Sequence, residues 1–378
     1  MENNKLGVLG VALMYVGTIM GAGFASGREI WQFFCVFGSK GYIGIFVIGG
    51  MFAVIGIMTS KIARSLGTND MGKVIVPGNN SKAVNFVGYF MAIMLFTVLI
   101  TMSSAGGALF YQQFGQSRIL GGAFIICLVI LTVIGGFERV SRVFRFIMPV
   151  LVIVVVSVCL MVIFMDLPKS EIQAEITISP LTPNWFISAM QYISYNVLAL
   201  VPIVATASVN AKSDKHAFLG TALGAIFLGL LAFVLGTAMF TDMGFSQAMD
   251  MPMLGYSEKV SEAVNIVYTC VLLFAIYASA TSNYYGFTTK MKQGKYRNLK
   301  IIIIAWIGFA CGLIGFTNVI SFMFPIEGFL GFAIIAMVIV NFFKVMKEEK
   351  QRKANEEVCQ GEVEALCEYE IEVKTNEG

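Results

Sequence analysis

Apolar residues gather into ten runs along the chain, separated by short polar connectors. A spanning helix needs about 20 mainly apolar residues. On that criterion the pattern predicts helices near 6–36, 41–60, 84–112, 119–136 and 143–165, and again near 185–210, 217–241, 261–287, 299–317 and 319–345. The first run is interrupted: Gly17-Thr18-Ile19-Met20-Gly21-Ala22-Gly23-Phe24-Ala25-Ser26-Gly27 leads directly into Arg28-Glu29. Non-helical backbone at bilayer depth leaves amides and carbonyls unpaired, which is costly unless protein, water or a ligand satisfies them. The break therefore marks a candidate binding site. Close helix crossing is the other reading of the fourfold spacing of Gly17, Gly21 and Ala25, but it leaves the two charges just downstream unexplained.

Lys and Arg alternate between the connectors. One side carries Lys5; Lys61, Arg64, Lys73 and Lys82; Arg139, Arg142 and Arg145; Lys212 and Lys215; Lys290, Lys292, Lys295, Arg297 and Lys300; and the stretch after Lys344. The other carries only Lys40, Arg118, Lys169 and Lys259. By the positive-inside rule both termini are expected in the cytoplasm. The polar connector Asp166 to Asn184, with Pro168, Pro180 and Pro183, is a seam between two sets of five runs. Five is odd, so the second set enters from the opposite side, an inverted repeat of the kind that places transporter sites at the repeat interface. The first run of the second half holds Tyr195-Asn196-Val197-Leu198-Ala199-Leu200-Val201-Pro202, where proline is expected to break or kink the helix. The expected fold is an all-α polytopic membrane protein of about ten transmembrane helices in two inverted five-helix repeats, with the first and sixth helices broken. The membrane domain spans 1–345, its repeats about 6–165 and 185–345, and 346–378 is an acidic cytoplasmic tail, solvated or weakly helical.

Composition agrees: 57% of the 378 residues are hydrophobic and 13% charged, with a mean hydropathy of +0.79, too apolar for a water-soluble core. The net charge of +3 follows from the connector bias and gives no reason to expect a nucleic-acid partner. The apolar start with its single Lys5 resembles a signal peptide weakly and is not expected to be cleaved. Cys35, Cys127, Cys159, Cys270, Cys311, Cys359 and Cys367 show no CxxC spacing, and His216 lies in a connector. The runs hold no histidine and no HExxH or GxSxG arrangement, so no enzyme and no cofactor are expected. The expected partners are a small-molecule substrate and the lipid bilayer; oligomeric state is not legible.

A broken helix turns the amides of one half and the carbonyls of the other toward the same space. Amides suit a carboxylate and carbonyls a cation. In the eighth run Ala278-Ser279-Ala280-Thr281-Ser282-Asn283 places hydroxyls in an apolar helix; these are hard ligands for an alkali cation, or they bond back to their own helix. Thr101, Ser103, Ser104, Tyr192, Tyr195 and Asn196 are further polar groups at similar depth, each equally readable as helix packing.

This layout resembles the leucine-transporter fold of the amino acid, polyamine and organocation transporter superfamily, and Gly21-Ala22-Gly23-Phe24-Ala25-Ser26-Gly27-Arg28-Glu29 resembles its YkvI-type bacterial membrane proteins. The resemblance implies a sodium site from the carbonyls of Gly17 and Met20 with Ala278, Thr281 and Ser282. Proton-coupled relatives carry a lysine in the fifth span; none occurs between Phe146 and Phe164, which favours sodium. It also implies a substrate site at Gly21, Ala22, Gly23 and Ser26 with Ser103, Ser104, Tyr192 and Asn196, and an external gate pairing Arg28 with Glu327. A purely structural ion pair is the alternative for that gate. Glu29, if it faces the cavity, is a candidate proton or amine site. The implied function is sodium-coupled uptake of a small amino acid or related zwitterion by alternating access. The alternatives are a proton-coupled transporter of another small solute, or a channel or sensor.

Overall fold

The computed structural model describes residues 5–376 apart from 79, 136, 171–174, 290, 292 and 293. The first apolar run forms three pieces, α1 (Val8–Ile19), α2 (Ala22–Ala25) and α3 (Arg28–Phe33), followed by α4 (Ser39–Leu66) and a short α5 (Met71–Ile75). Then come α6 (Ser81–Phe114), α7 (Arg118–Ile134) and α8 (Phe137–Phe164). Beyond the proline-bearing connector lie α9 (Trp185–Val209), α10 (Asp214–Phe240), the short α11 (Met243–Ala248) and α12 (Pro252–Val260), α13 (Glu262–Thr289) and α14 (Arg297–Gly312). The last run is a short α15 (Phe316–Asn318), a π turn over Val319–Met323, and α16 (Phe324–Asn376).

Polar residues at the run boundaries set the helix starts. Asn80, Ser117, Asn184 and Ser213 each accept a backbone amide from the first turn of α6, α7, α9 and α10, replacing the partners those amides lack at a helix end.

Among the described residues, six helices are long and apolar enough to cross a membrane: Ser39–Leu66, Ser81–Phe114, Trp185–Val209, Asp214–Phe240, Glu262–Thr288 and Phe316–Arg352. Val8–Ile19, Arg118–Ile134 and Pro149–Phe164 are apolar but shorter. Four of the ten runs fall short of that length: the first run is divided, α7 and α14 have only 17 and 16 residues, and α8 counts only over Pro149–Phe164. Large apolar side chains such as Phe46, Phe86, Leu131 and Ile153 point outward, which costs little in lipid and much in water.

The sixth run departs from expectation. It is one continuous helix, α9, with Pro202 inside it. A single proline removes only the amide that would reach the Leu198 carbonyl, and neighbours packed on every side of α9 hold the rest of the ladder together; α4 and α16 lie along its length. The tail also continues α16 as one helix through Asn376. The side chains of Arg139, Arg142, Arg145, Lys292, Cys359, Cys367 and the acidic tail at 353 and beyond 355, and Lys290, lie outside what the structure describes.

The core surrounds the interrupted helix. Phe24, Ile30, Trp31 and Phe33 are fully buried, enclosed by α9, α10 and α13. That enclosure explains why the first run is apolar all round instead of amphipathic.

Candidate functional site

The break has two points. Met20 takes φ −74°, ψ 61° and Gly21 is extended, so the Gly21 amide turns back to the Ile19 carbonyl at 2.7 Å. At the second point Gly27 has φ +81°, a left-handed conformation that a side chain disfavours. The turn strips α1 of amide partners: among the described residues, no backbone N–H reaches the carbonyls of Gly17, Thr18 or Met20.

Beside the break is a cavity of about 70 Å³. Its polar lining comes from Thr18 and Gly21 at the break, Glu29 on α3, Tyr195 and Asn196 on α9, Ser279 and Asn283 on α13 and Glu327 on α16. Met91, Met94, Leu95, Val98 and Met102 of α6, with Leu198 and Phe324, complete the wall with apolar groups.

Two acids therefore face one partly open space. Glu29 and Glu327 are each 5% exposed. Glu29 Oε2 accepts a 2.5 Å hydrogen bond from the Tyr195 hydroxyl, whose ring stacks on Phe324 at 4.6 Å. The rest of the Glu29 carboxyl lies over Gly23, where a Cβ would overlap it. Gly23 is thus required by Glu29 and not by a helix crossing, whereas Gly21 has ordinary room, its nearest neighbour being Ser279 Oγ at 3.4 Å from an added Cβ. Glu327 is brought in by a tight approach of α16 to α9: a Cβ on Gly328 would meet Gln191 Cα at 2.9 Å. Glu327 Oε1 is buried without a hydrogen-bond partner.

The external gate expected between Arg28 and Glu327 is not formed. Arg28 turns away to the α11 end, where Nη1 donates to the carbonyls of Gln247 and Met249 at 3.2 Å each. Trp31 Nε1 reaches Gln247 Oε1 at 2.7 Å and the Met253 amide donates to the Ser26 carbonyl at 3.0 Å. Gln112 bonds Met251 through both its amide atoms at 3.0 Å, and Asp250 is held by Arg118 at 2.5 Å and Thr317 at 2.7 Å. The α11–α12 segment is thereby latched across α3. At its root Asp242 pairs with Lys259 at 3.2 Å. Burial pushes its carboxyl up, but bonds from the Ser170 amide and hydroxyl, the Phe245 amide and Lys259 outweigh that and hold it at about 2.

The expected substrate residues separate into groups. Gly21 and Asn196 line the cavity. Ala22, Gly23 and Ser26 are fully buried or nearly so and do not line it, because the Glu29 carboxyl occupies the space over Gly23. Ser103 and Ser104 border a different cavity, with Arg118 of α7 and Phe309 and Gly312 of α14; one helical face of α6 cannot serve both sides. Tyr192 is packed among Phe33, Phe34, Phe52 and Tyr195.

Of the expected cation ligands, Gly17 and Met20 have the unclaimed carbonyls already described. Thr281 Oγ1 is buried with no partner. Thr18, Thr59, Thr132, Thr206 and Thr221 each bond the carbonyl four residues back, the cheap solution for a helical threonine in an apolar setting. Thr281 leaves that bond unmade, so its oxygen fits an alkali cation's hard-donor set. Ala278 is fully buried and Ser282 partly so.

Tyr195, Ser279 and Asn283 were visible as polar residues in the runs. What sequence reasoning missed is that Glu327 shares a cavity with Glu29. The only signal was that both acids sit within apolar runs, without a basic residue one turn away.

No family model matches the chain. It is 28% identical over 348 residues to the uncharacterized membrane protein YkvI of Bacillus subtilis (strain 168), covering 90% of this chain and 97% of that protein. To the uncharacterized protein YyaD of the same organism it is 21% identical over 333 residues, 87% of this chain and 95% of that protein. Its fold matches Mhp1 in an inward-facing conformation with a TM-score of 0.65 at 12% identity, over 90% of this chain and 78% of that one. It matches MhsT in complex with L-phenylalanine at 0.56 and 17% identity (89% and 87%), and a manganese transporter of Eremococcus coleocola at 0.53 and 12% (90% and 86%). The chain is homologous to the YkvI membrane protein and carries the leucine-transporter fold.

Proposed function

We propose that this protein is a cation-coupled secondary transporter that carries a small nitrogen-bearing solute, an amino acid or a related amine, across the bacterial inner membrane by alternating access. The observation that carries the reading is a cavity lined by two carboxyls, two asparagines and hydroxyls beside a broken helix in an apolar bundle. Backbone breaks at such depth persist where they line a cavity, and paired repeats with a midplane site are the usual frame for them. In this reading α1–α3 form the first of ten spans, α4 and α6–α8 complete one five-helix repeat, and α9, α10, α13, α14 and α16 form the inverted second. Both termini face the cytoplasm. The α11–α12 segment then lies on the outer side, where its latch on α3 closes the cavity from outside.

Sodium is the coupling ion in this reading, held by Thr281, Ser282 and Ala278 of α13 with the carbonyls of Gly17 and Met20. Bound sodium would supply a positive charge for those carbonyl oxygens and the Thr281 and Ser282 hydroxyls to coordinate. A second reading, coupling to protons, has its own support in the two buried carboxyls, Glu29 and Glu327. Thermal unfolding of the purified protein across an amino acid panel, in sodium and then in potassium, separates the two, because a ligand that binds the folded state raises the transition. A shift by one amino acid only in sodium, absent in Thr281→Ala, supports sodium coupling. A shift indifferent to sodium moves coupling to the carboxyls.

A further inference from the structure

We propose that Glu29 and Glu327 form one two-carboxyl receptor on which protons and the cationic nitrogen of an amine compete, so that the cavity exchanges an organic cation lacking a carboxylate for protons. The inference rests on the transporter reading in its second, proton-coupled form, and narrows its substrate.

Charge is the first argument. Two carboxyls line a cavity of about 70 Å³ with no Lys, Arg or His among its lining residues. Arg28, adjacent to Glu29 in sequence, is committed to the Gln247 and Met249 carbonyls. Two carboxylates taken out of water without a counter-charge are strongly disfavoured. The site is neutral with two protons, with one proton and one ammonium group, or with the two ammonium groups of a diamine.

Hydrogen-bonding capacity is the second argument, and it is independent of charge. Asn196 and Asn283 each spend one Nδ2 hydrogen on the carbonyl four residues back, at 2.8 Å, leaving each side chain one N–H and its Oδ1 acceptor. Glu327 Oε1 is buried and has no partner. With both carboxylates ionised, acceptors outnumber the remaining donors, two Nδ2 hydrogens and the Ser279 hydroxyl, which suits an ammonium group better than a carboxylate. Of the segment expected to hold a carboxylate, the Gly21 amide turns back to the Ile19 carbonyl at 2.7 Å and Gly23 lies behind the Glu29 side chain.

The remaining walls fit an alkyl chain. Met91, Met94, Leu95, Val98 and Met102 on α6, with Leu198 and Phe324, offer flexible apolar surface. The titratable groups around the two acids are Tyr195, bonded to Glu29, and Tyr192 behind it, both on α9. α6 lines the cavity with apolar groups, its Thr97 hydroxyl donating to the Met94 carbonyl at 2.6 Å, and α1 and α13 contribute only hydroxyl and amide groups. The exchange is balanced: each ammonium group that enters as R–NH₃⁺ displaces one carboxyl proton to the solvent on the side to which the cavity is open, and the reverse follows on the other side. No covalent bond changes.

Three probes of equal chain length discriminate: butane-1,4-diamine, butylamine and 4-aminobutanoate, added to the purified full-length protein in sodium buffer. The proposal expects the two amines to raise the unfolding temperature and the zwitterion not to. Lowering the pH weakens amine binding by up to about tenfold per unit for each proton displaced, and a pH-indicator dye in weak buffer registers proton release when the amine is added. Glu327→Gln and Glu29→Gln each weaken amine binding at least tenfold and remove one released proton. Should either variant fail to fold, the pH competition and the dye signal in the wild-type protein still decide. Equal or tighter binding of 4-aminobutanoate, amine binding without proton release, or unchanged affinity in both folded variants overturns the proposal. If natural amino acids stabilise in sodium and the amines do not, this inference fails and the transporter reading stands. If nothing stabilises, both fail.

Discussion

Gly23→Ala tests whether the glycine-rich break exists to seat Glu29. An added Cβ would overlap the Glu29 carboxyl, with Glu29 Cγ itself only 2.8 Å away, so the acid must move. Glu29 has little room to do so, because Oε2 is fixed by Tyr195 at 2.5 Å and Tyr195 by its stack on Phe324. Overpacking of this kind costs about 1–3 kcal/mol. Part of that is the hydrogen bond, since one made to a charged group contributes about 1.5–3 kcal/mol and a neutral one about 1. In thermal unfolding of the detergent-solubilised protein, the expected shift is a drop on the order of 2–5 °C. Because both changes act on one contact, their effects should not add: Gly23→Ala in a Tyr195→Phe background should cost less than in the wild type, with a coupling of about 0.5–2 kcal/mol. Glu29→Asp, one methylene shorter, should relieve part of the Gly23→Ala cost. A near-neutral Gly23→Ala, or additive effects with Tyr195→Phe, would refute the packing argument and return the glycines to a helix-crossing role.

Other outcomes follow from the same structure. Thr281→Ala should keep the fold within about 1 kcal/mol, since its hydroxyl has no partner to lose, while abolishing any sodium-dependent rise in unfolding temperature; an unchanged sodium response removes Thr281 from the cation site. Gln247→Ala frees the Trp31 indole N–H and loosens α11 from α3, so proteolysis within Met243–Val260 should accelerate, and equal cleavage rates would mean that the latch does not hold the segment. The Asp242 carboxyl, held at about 2 against an ordinary value near 4, binds its proton more weakly folded than unfolded. Its contribution is therefore full above about pH 4 and is lost as pH falls toward 2. Asp242→Asn should remove that acid-sensitive component, seen as a flatter dependence of unfolding temperature on pH over that window.

Much of the fold was legible because bilayer thickness and backbone pairing leave few solutions for an apolar chain. The interruption at Gly17–Gly27 appeared where the glycines placed it, and the connector between Phe164 and Trp185 separates the two halves of the helix order. Pro202 misled because one missing amide does not end a helix that its neighbours enclose. The site was half legible. Glu29, Asn196 and Thr281 stand out as polar groups in apolar runs. That Glu327 joins Glu29, while Arg28 turns to the Gln247 and Met249 carbonyls, depends on how α16 and α11 pack, and contacts of that kind, between residues hundreds of positions apart, leave no local periodicity to read. Ser103 and Ser104 were misplaced for the same reason: which face of α6 meets α13 and which meets α14 is decided by packing.

Counterflow in proteoliposomes tests the central claim most directly. Vesicles holding the wild-type protein and an internal excess of the solute found by thermal unfolding should transiently concentrate the labelled solute from outside. Ser279→Trp, which fills the cavity beside Gly21, should abolish the overshoot. No overshoot in the wild type, or an equal overshoot in a folded Ser279→Trp protein, would contradict a transporter working through this cavity.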